Sequence, residues 1–338
     1  MSEFRIDQIT NQSGSRGPDI AGITTFTGTS GMVMPSGPTE YRGGRGRGIF
    51  AGGYNPTLYN IMDYVTIATT GNAIDFGDLR TAVRLGTGNG SSTRGIVSGG
   101  FPTTDVIQYT TISSTGNTFD FGSISYGATY GLTSTGNSTR NLIMGGNSPV
   151  GDVTTIDFIT FSTLGNSSFF GDLQEKFRYG KAVSSPTRAV VGGDSLNSPN
   201  LRNLEFVTIS TLGDAQDFGD LIDDKNAVGG CASPTRGIFA GGTSPSDVDV
   251  IQYITFSSRG NAIDFGNLTT TKHYYGSGTS SSTRGIFAAG EKYDPQTFRS
   301  EIDYITIATT GNAADFGDVT QSRGQTNDFS DSAGGLGD

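Results

Sequence analysis

One phrase, Ser233-Pro-Thr-Arg-Gly-Ile-Phe-Ala-Gly-Gly242, constrains this chain more than any other feature, because the chain keeps returning to it. It recurs as Thr93-Arg-Gly-Ile-Val-Ser-Gly-Gly100 and Thr283-Arg-Gly-Ile-Phe-Ala-Ala-Gly290, with looser copies at Arg47, Arg140 and Arg188. The arginines stand 47, 46, 48, 48 and 48 residues apart. A second phrase follows each copy, as in Ile302-Asp-Tyr-Ile-Thr-Ile-Ala-Thr-Thr-Gly-Asn-Ala-Ala-Asp-Phe-Gly-Asp318. A fixed period of this length marks a repeat architecture, in which each unit buries its apolar surface only against its neighbours.

The unit reads as strands. Gly237-Ile-Phe-Ala-Gly is short, apolar on both faces and bounded by glycine, as a strand buried on both sides should be. Ile61-Met-Asp-Tyr-Val-Thr-Ile67 is β-branched and aromatic, which suits a pleated surface. Thr70-Gly-Asn72 is a turn, and Asn72-Ala-Ile-Asp-Phe-Gly77 supplies a third strand. A fourth must precede each arginine, for example Tyr179-Gly-Lys-Ala-Val183. In chain order these are A (before the arginine), B, C (with the Tyr or Phe) and D (Asp-Phe-Gly). Four strands in about 48 residues make a propeller blade. The expected fold is therefore all-β, a six-bladed Kelch-like β-propeller of four-stranded blades, with a parallel β-helix as its competitor.

Gap lengths locate the variable surface. From the C aromatic (Tyr64, Tyr109, Phe158, Phe206, Tyr253, Tyr304) to the D glycine (Gly77, Gly122, Gly171, Gly219, Gly266, Gly317) the count is always 13. The B–C connection instead varies, giving 11, 9, 12, 12, 11 and 14 by the same kind of count. In an up-and-down blade the B–C and D–A loops share one face, so a binding surface is expected there. Residues 1–40 lie outside the repeat and read as an extended attachment arm, with disorder as the alternative. Residues 41–338 read as the propeller. The tail 319–338 falls where the next strand A belongs, and is expected to supply the missing strand A of blade one and close the ring.

Composition narrows the function. The net charge is −10 and charged residues are only 16%, which argues against a nucleic-acid partner. One cysteine, Cys231, and one histidine, His273, leave no internal disulfide and no Cys- or His-rich metal site. No apolar run approaches a membrane span, and the N-terminus does not read as a secretory signal. No catalytic residue, metal or cofactor is assigned, and the expectation is that the protein is not an enzyme. The arginines Arg47, Arg94, Arg140, Arg188, Arg236 and Arg284 could form an anion ring. They could equally join blades by pairing carboxylates or capping carbonyls, and the structural reading is preferred. An Asp precedes the D-strand Phe at Asp75, Asp120, Asp217, Asp264 and Asp315, but repeat three has Phe169. A site should break the repeat, so the candidate binding residues are loop residues: Tyr54, Phe101, His273, Tyr274, Tyr275 and Tyr293.

The apolar strand ending in Gly-Gly (Gly52-Gly53, Gly99-Gly100, Gly145-Gly146, Gly192-Gly193, Gly241-Gly242) followed by an aromatic strand resembles the Kelch repeat. It departs from that repeat in having no tryptophan. Over nearly the whole chain, the sequence resembles Gly-rich repeat proteins of tailed phages, especially cyanobacterial ones. The phrases that carry this are Phe4-Arg-Ile-Asp-Gln-Ile-Thr-Asn-Gln-Ser-Gly14, Gly17-Pro-Asp-Ile-Ala-Gly-Ile-Thr-Thr-Phe26, Met34-Pro-Ser-Gly37 and the two repeat phrases. The resemblance implies a virion structural protein, on a tail fibre or other appendage, made in the host cytoplasm and assembled in many copies. It implies other virion proteins as partners of the arm, and the propeller facing host surface glycan. A free carbohydrate-binding lectin is the alternative.

Overall fold

Each repeat forms a four-stranded antiparallel sheet, and the six sheets make a six-bladed β-propeller. The computed structural model describes residues 46–194, 201–243, 246–273, 277–292 and 294–336. The expected arm 1–40 and the candidates Tyr274, Tyr275 and Tyr293 lie outside the described residues.

Blade two shows the pattern: A is Thr87–Gly90, B Arg94–Ser98, C Val106–Thr111 and D Phe119–Ser123. The C and D strands of the other blades are Ile61–Thr66 and Ile74–Asp78, Thr155–Thr160 and Ser168–Asp172, Asn203–Thr208 and Gln216–Asp220, Val250–Thr255 and Ile263–Asn267, and Glu301–Thr306 and Ala314–Asp318. Strand A of blade four is Lys181–Ser184. It begins two residues later than the sequence suggests, because Tyr179 has φ 67° and breaks the extended run. The B–C connections of blades three and six each fold into a small ribbon, Asn147–Ser148 with Gly151–Asp152 and Glu291–Lys292 with Thr297–Phe298.

There is no single core. Six apolar clusters lie between neighbouring blades, as with Ile49, Met62 and Phe76 of blade one against Val97 and Ile112 of blade two. The D strand can face two environments because every C–D ladder shifts register beside the residue before the C aromatic. This bulge leaves Ile74 and Asp75 outside and turns Phe76 inward, edge-on to Tyr64 at 5.8 Å. Gly77 closes the bulge at φ 141°, and a Cβ there would stand 2.5 Å from Gly116 O of the next blade. Glycine is required on both counts.

That close approach belongs to a seam. The next blade's turn Thr115-Gly-Asn117 lies along the outer D edge. Gly116 N–H donates to Phe76 O (2.7 Å), Thr118 N–H to Asp78 O (2.9 Å), and Asp78 N–H to Asn117 Oδ1 (3.0 Å). The same three bonds recur between blades six and one, where Gly71 and Ala73 donate to Phe316 O and Asp318 O and Asn72 Oδ1 accepts from Asp318 N–H. Each D edge, which would otherwise be open to another chain, is thereby covered.

Ring closure rests on strand A of blade one, which comes from the C-terminal tail. Asn327–Ser330 pairs antiparallel with Arg47–Ala51. In blade two the A–B turn is capped by Ser91 Oγ, which accepts from Arg94 N–H at 3.0 Å. In blade one the chain is broken at this turn, yet the cap survives: Asp331 Oδ1 accepts from Gly46 N–H (2.9 Å) and Arg47 N–H (3.0 Å). Phe329 of the same strand is buried where blade two has only Gly95, whose Cβ would meet its ring at 1.9 Å.

Two changes test this closure. Ending the chain at Val319 removes a buried strand and its Phe329, and is expected to cost several kcal/mol at about 25 cal/mol per Å²; the variant should melt far below the full chain and aggregate through the bared edge. Asp331→Ala should cost about 1–3 kcal/mol by leaving two backbone donors unsatisfied. Denaturant unfolding of both variants beside the full chain measures the two effects.

Candidate binding face

The repeated residues are used up by the scaffold. All six phrase arginines reach the following blade. Arg47 Nη1 donates to Ile112 O (2.7 Å), Arg140 Nη1 to Ile209 O (3.1 Å), Arg188 Nη1 to Phe256 O (2.7 Å) and Arg236 Nη1 to Ala308 O (2.9 Å). Arg94 donates likewise to Phe161 O, and Arg284 closes the belt on Ile67 O (3.0 Å). Each guanidinium also lies over its own blade's C aromatic, from 4.6 Å for Arg236 on Tyr253 to 5.1 Å for Arg94 on Tyr109. The arginines therefore cap carbonyls between blades. The Asp residues before the D-strand Phe, such as Asp75, point to solvent instead.

A second latch was not anticipated from the sequence. The residue before each C aromatic is Asp63, Gln108, Asp157, Glu205, Gln252 or Asp303, and all six are buried. Each accepts from the D–A loop of the preceding blade. Thr320 Oγ1 donates to Asp63 (2.7 Å), Thr81 N–H to Gln108 (3.4 Å), Ser125 Oγ to Asp157 (2.6 Å), Gln174 N–H to Glu205 (2.7 Å) and Ile222 N–H to Gln252 (2.8 Å). Thr269 Oγ1 donates to Asp303. Two latches carry a buried cation as well, Arg323 on Asp63 (2.9 Å) and Lys272 on Asp303 (3.1 Å). The sequence signal was available: an acid or amide always preceded the aromatic.

The axial channel holds chemistry but no room. Strands A surround a cavity of about 40 Å³, enough for a water or two. Burial there lowers the Lys181 ammonium to about 8 and raises the Cys231 thiol and the Asp328 carboxyl. The 3₁₀ turn Gly334–Leu336 packs against the ends of these strands. Among the described residues no group of three or more His, Cys, Asp and Glu is placed to hold a metal, and no helix is long and apolar enough to cross a membrane.

The repeat is broken on the B–C/D–A face. There Arg84 of the first D–A loop lies over both Tyr54 (4.3 Å) and Phe101 (5.0 Å). Tyr54 meets Phe298 edge-on at 5.7 Å. Phe101 meets Tyr130 at 5.9 Å, Tyr130 meets Tyr179 at 6.2 Å, and Arg178 lies over Tyr179 at 4.8 Å. The result is a continuous arc of five rings, with one guanidinium group inserted among them and another at its end. Phe101 is exposed and the other members are half-buried. Two-way backbone pairing holds the arc rigid: Phe101 N–H donates to Arg84 O (2.6 Å) and Arg84 N–H to Phe101 O (3.1 Å), with equivalent bridges at Tyr54–Gly324 and Tyr130–Asn147. Arg84 Nε is buried and meets no acceptor among the described residues. Burial and the Tyr130 phenol push Tyr179 up to about 12, so it stays a neutral hydroxyl.

Tyr54 and Phe101, singled out from the sequence, are thus brought together. Arg84, Tyr130, Arg178, Tyr179 and Phe298 were missed. Arg84, Tyr130 and Tyr179 each follow a D glycine by seven or eight residues, in the D–A loops. His273 is not a surface residue. Its ring is 1% exposed, with Nδ1 2.8 Å from Asp247 and Nε2 3.0 Å from Glu291. The D–A loop turns it inward because two carboxylates of the neighbouring B–C loops receive it.

No protein-family model and no curated protein sequence matches this chain. Among solved structures it is similar to that of YjhT, with a TM-score of 0.60 and 10% identity, over 73% of this chain and 87% of that one. That likeness concerns the fold.

Two measurements bear on these assignments. Arg236→Ala removes a charged hydrogen bond and a ring contact, and is expected to cost about 2–3 kcal/mol; Arg236→Lys should restore little, because the planar fork is lost. Denaturant midpoints give both. Burial alone would lower the His273 pKa, but its bonds to Glu291 and Asp247 outweigh this and raise it. Burial would raise Glu291, whereas His273 and Gln325 lower it. A raised histidine stabilises fully below its unfolded value of 6.5 and loses this as pH climbs through its folded value. A lowered glutamate stabilises above 4.5 and loses this as pH falls through its folded value. The melting-temperature gap between the full chain and His273→Ala should therefore peak at about pH 5–6 and shrink on either side.

Proposed function

We propose that this protein is a structural component of a phage virion, on a tail fibre or similar appendage, and that its propeller presents the B–C/D–A face to host surface glycan. In this reading the arm 1–40 attaches it to other virion proteins, and the propeller binds without catalysing. The observation that carries the reading is the arc from Phe298 through Tyr54, Arg84, Phe101, Tyr130 and Tyr179 to Arg178. Part-exposed rings offer flat apolar surface to the C–H faces of a sugar. The half-buried Arg84 and Arg178 guanidinium groups beside them carry further N–H donors. Loops already pinned by backbone pairing lose little freedom on binding. The whole-chain resemblance to phage Gly-rich repeat proteins supplies the virion setting.

Phe101→Ala should weaken binding of the propeller to host cells or their isolated polysaccharide about 10-fold or more, the usual scale for a central aromatic contact, with its melting temperature unchanged. Equal binding by the two proteins would remove the arc from the site. Deleting residues 1–40 separates the virion reading from a free lectin: incorporation into virions should be lost while glycan binding stays. Incorporation at the normal level would leave the lectin reading standing. Turnover of a defined polysaccharide, abolished by changing one carboxylate pair, would overturn the non-catalytic role.

A further inference from the structure

On the other face, which carries the A–B and C–D turns, one C–D turn stands apart from the rest. Arg259 occupies a turn position held elsewhere by Thr70, Thr115, Leu164, Leu212 and Thr310. It reaches back over blade four, where its Nη2 donates to Gln216 Oε1 at 2.7 Å. Gln216 also breaks the repeat, standing where the other blades have Ile74, Phe119, Ser168, Ile263 and Ala314. Two unrelated substitutions thus meet in one hydrogen bond.

The effect on blade four is specific. Arg188, its phrase arginine, lies 5.1 Å from the centre of the Phe206 ring, and Arg259 lies 4.7 Å from the same centre. Phe206 alone among the six C aromatics is buried; Tyr64, Tyr109, Phe158, Tyr253 and Tyr304 are half-exposed. Beside it opens a space of about 310 Å³ lined by Arg188, Phe206, Thr211, Asp214, Gln216 and Arg259. Neither arginine forms an ion pair among the described residues. Asp214 keeps the scaffold task of the Asn at this turn in other blades, accepting from Asp172 N–H at 3.0 Å. Arg188 spends Nη1 on Phe256 O and Arg259 spends Nη2 on Gln216, so most donors of both forks are left to the opening.

We propose that this opening is a second binding site, for a small oxyanion held between Arg188 and Arg259. Two cations over one ring repel each other, and an oxyanion between them relieves this while accepting forked hydrogen bonds. The shared chemistry is a carboxylate or phosphate oxygen pair, borne by an acidic saccharide or by free phosphate. Phe206 is too covered to stack on a sugar, so recognition is of the charged group. The chain's net charge of −10 opposes any anion, so binding should be weak and should fall as salt rises.

Calorimetric or NMR titration of the full chain with glucuronate, glucose and inorganic phosphate tests this. Glucuronate or phosphate should bind and glucose should not; glucuronate alone would assign a saccharide carboxylate, and phosphate alone a phosphate. Arg259→Thr and Arg259→Leu place at this turn residues that other blades already use, so both variants should fold with melting temperatures near that of the full chain. Each should weaken anion binding about 10-fold or more. Phe101→Ala should leave it unchanged, which separates this site from the loop face. Absence of binding by either anion at about 50 mM, a level that detects even weak contacts, would overturn the proposal. So would equal affinity in a folded Arg259 variant.

Discussion

The ring depends on bonds that cross from one blade to the next. Within a blade, four short strands make a sheet with both faces apolar and no interior of its own. Only a neighbour on each side turns those faces into core. Three kinds of contact enforce the neighbour's position: the turn laid along the D edge, the arginine reaching the far carbonyl, and the buried acid or amide receiving the D–A loop. They act at the outer edge, at the turn face and beneath the loop face, so a blade cannot tilt without breaking one of them. Both repeat phrases are consequences of this seam rather than of the blade itself.

A ring of such seams has no natural beginning, but a chain does. The break falls in the A–B turn of blade one, where the two halves are rejoined without a covalent link. Asp331 takes the part played by Ser91 in blade two and caps Arg47 from nearly three hundred residues away. Arg323, buried against Asp63 at 2.9 Å, adds a charged pair across the same closure. A buried pair of this kind contributes little over an apolar replacement but costs several kcal/mol if one partner is lost.

The same symmetry separates scaffold from site. Whatever recurs six times is engaged at the seams, each arginine and each buried acid or amide making at least one bond there. The loop arc and the blade-four opening are different in kind. Each arises where residues that leave the repeat meet, and each sets two guanidinium groups beside aromatic rings. The two lie on opposite faces, on the pinned loops in one case and on the turns in the other. His273 shows the limit of the rule. It breaks the repeat too, but both its ring nitrogens are satisfied by carboxylates, so it ties loops together.

The sequence alone determined the period, the four strands per unit, their order, the length variation on one face and the need for blade one's strand A to come from the tail. These are properties of spacing and apolar patterning, which are local and repeated, and a periodic chain states them six times. It did not determine what each residue touches across a seam. The arginine's partner is a carbonyl 65 or more residues away rather than the nearby Asp of strand D; only the packing of two blades brings it within reach. The acid or amide before each C aromatic looked like any polar residue of an alternating strand until the D–A loop was placed on it. Tyr54 and Phe101 were legible as unusual residues, but Arg84 between them was not, because their meeting depends on loops from different blades pairing backbone to backbone. Periodicity is written along the chain, whereas a site that breaks it is assembled across the ring.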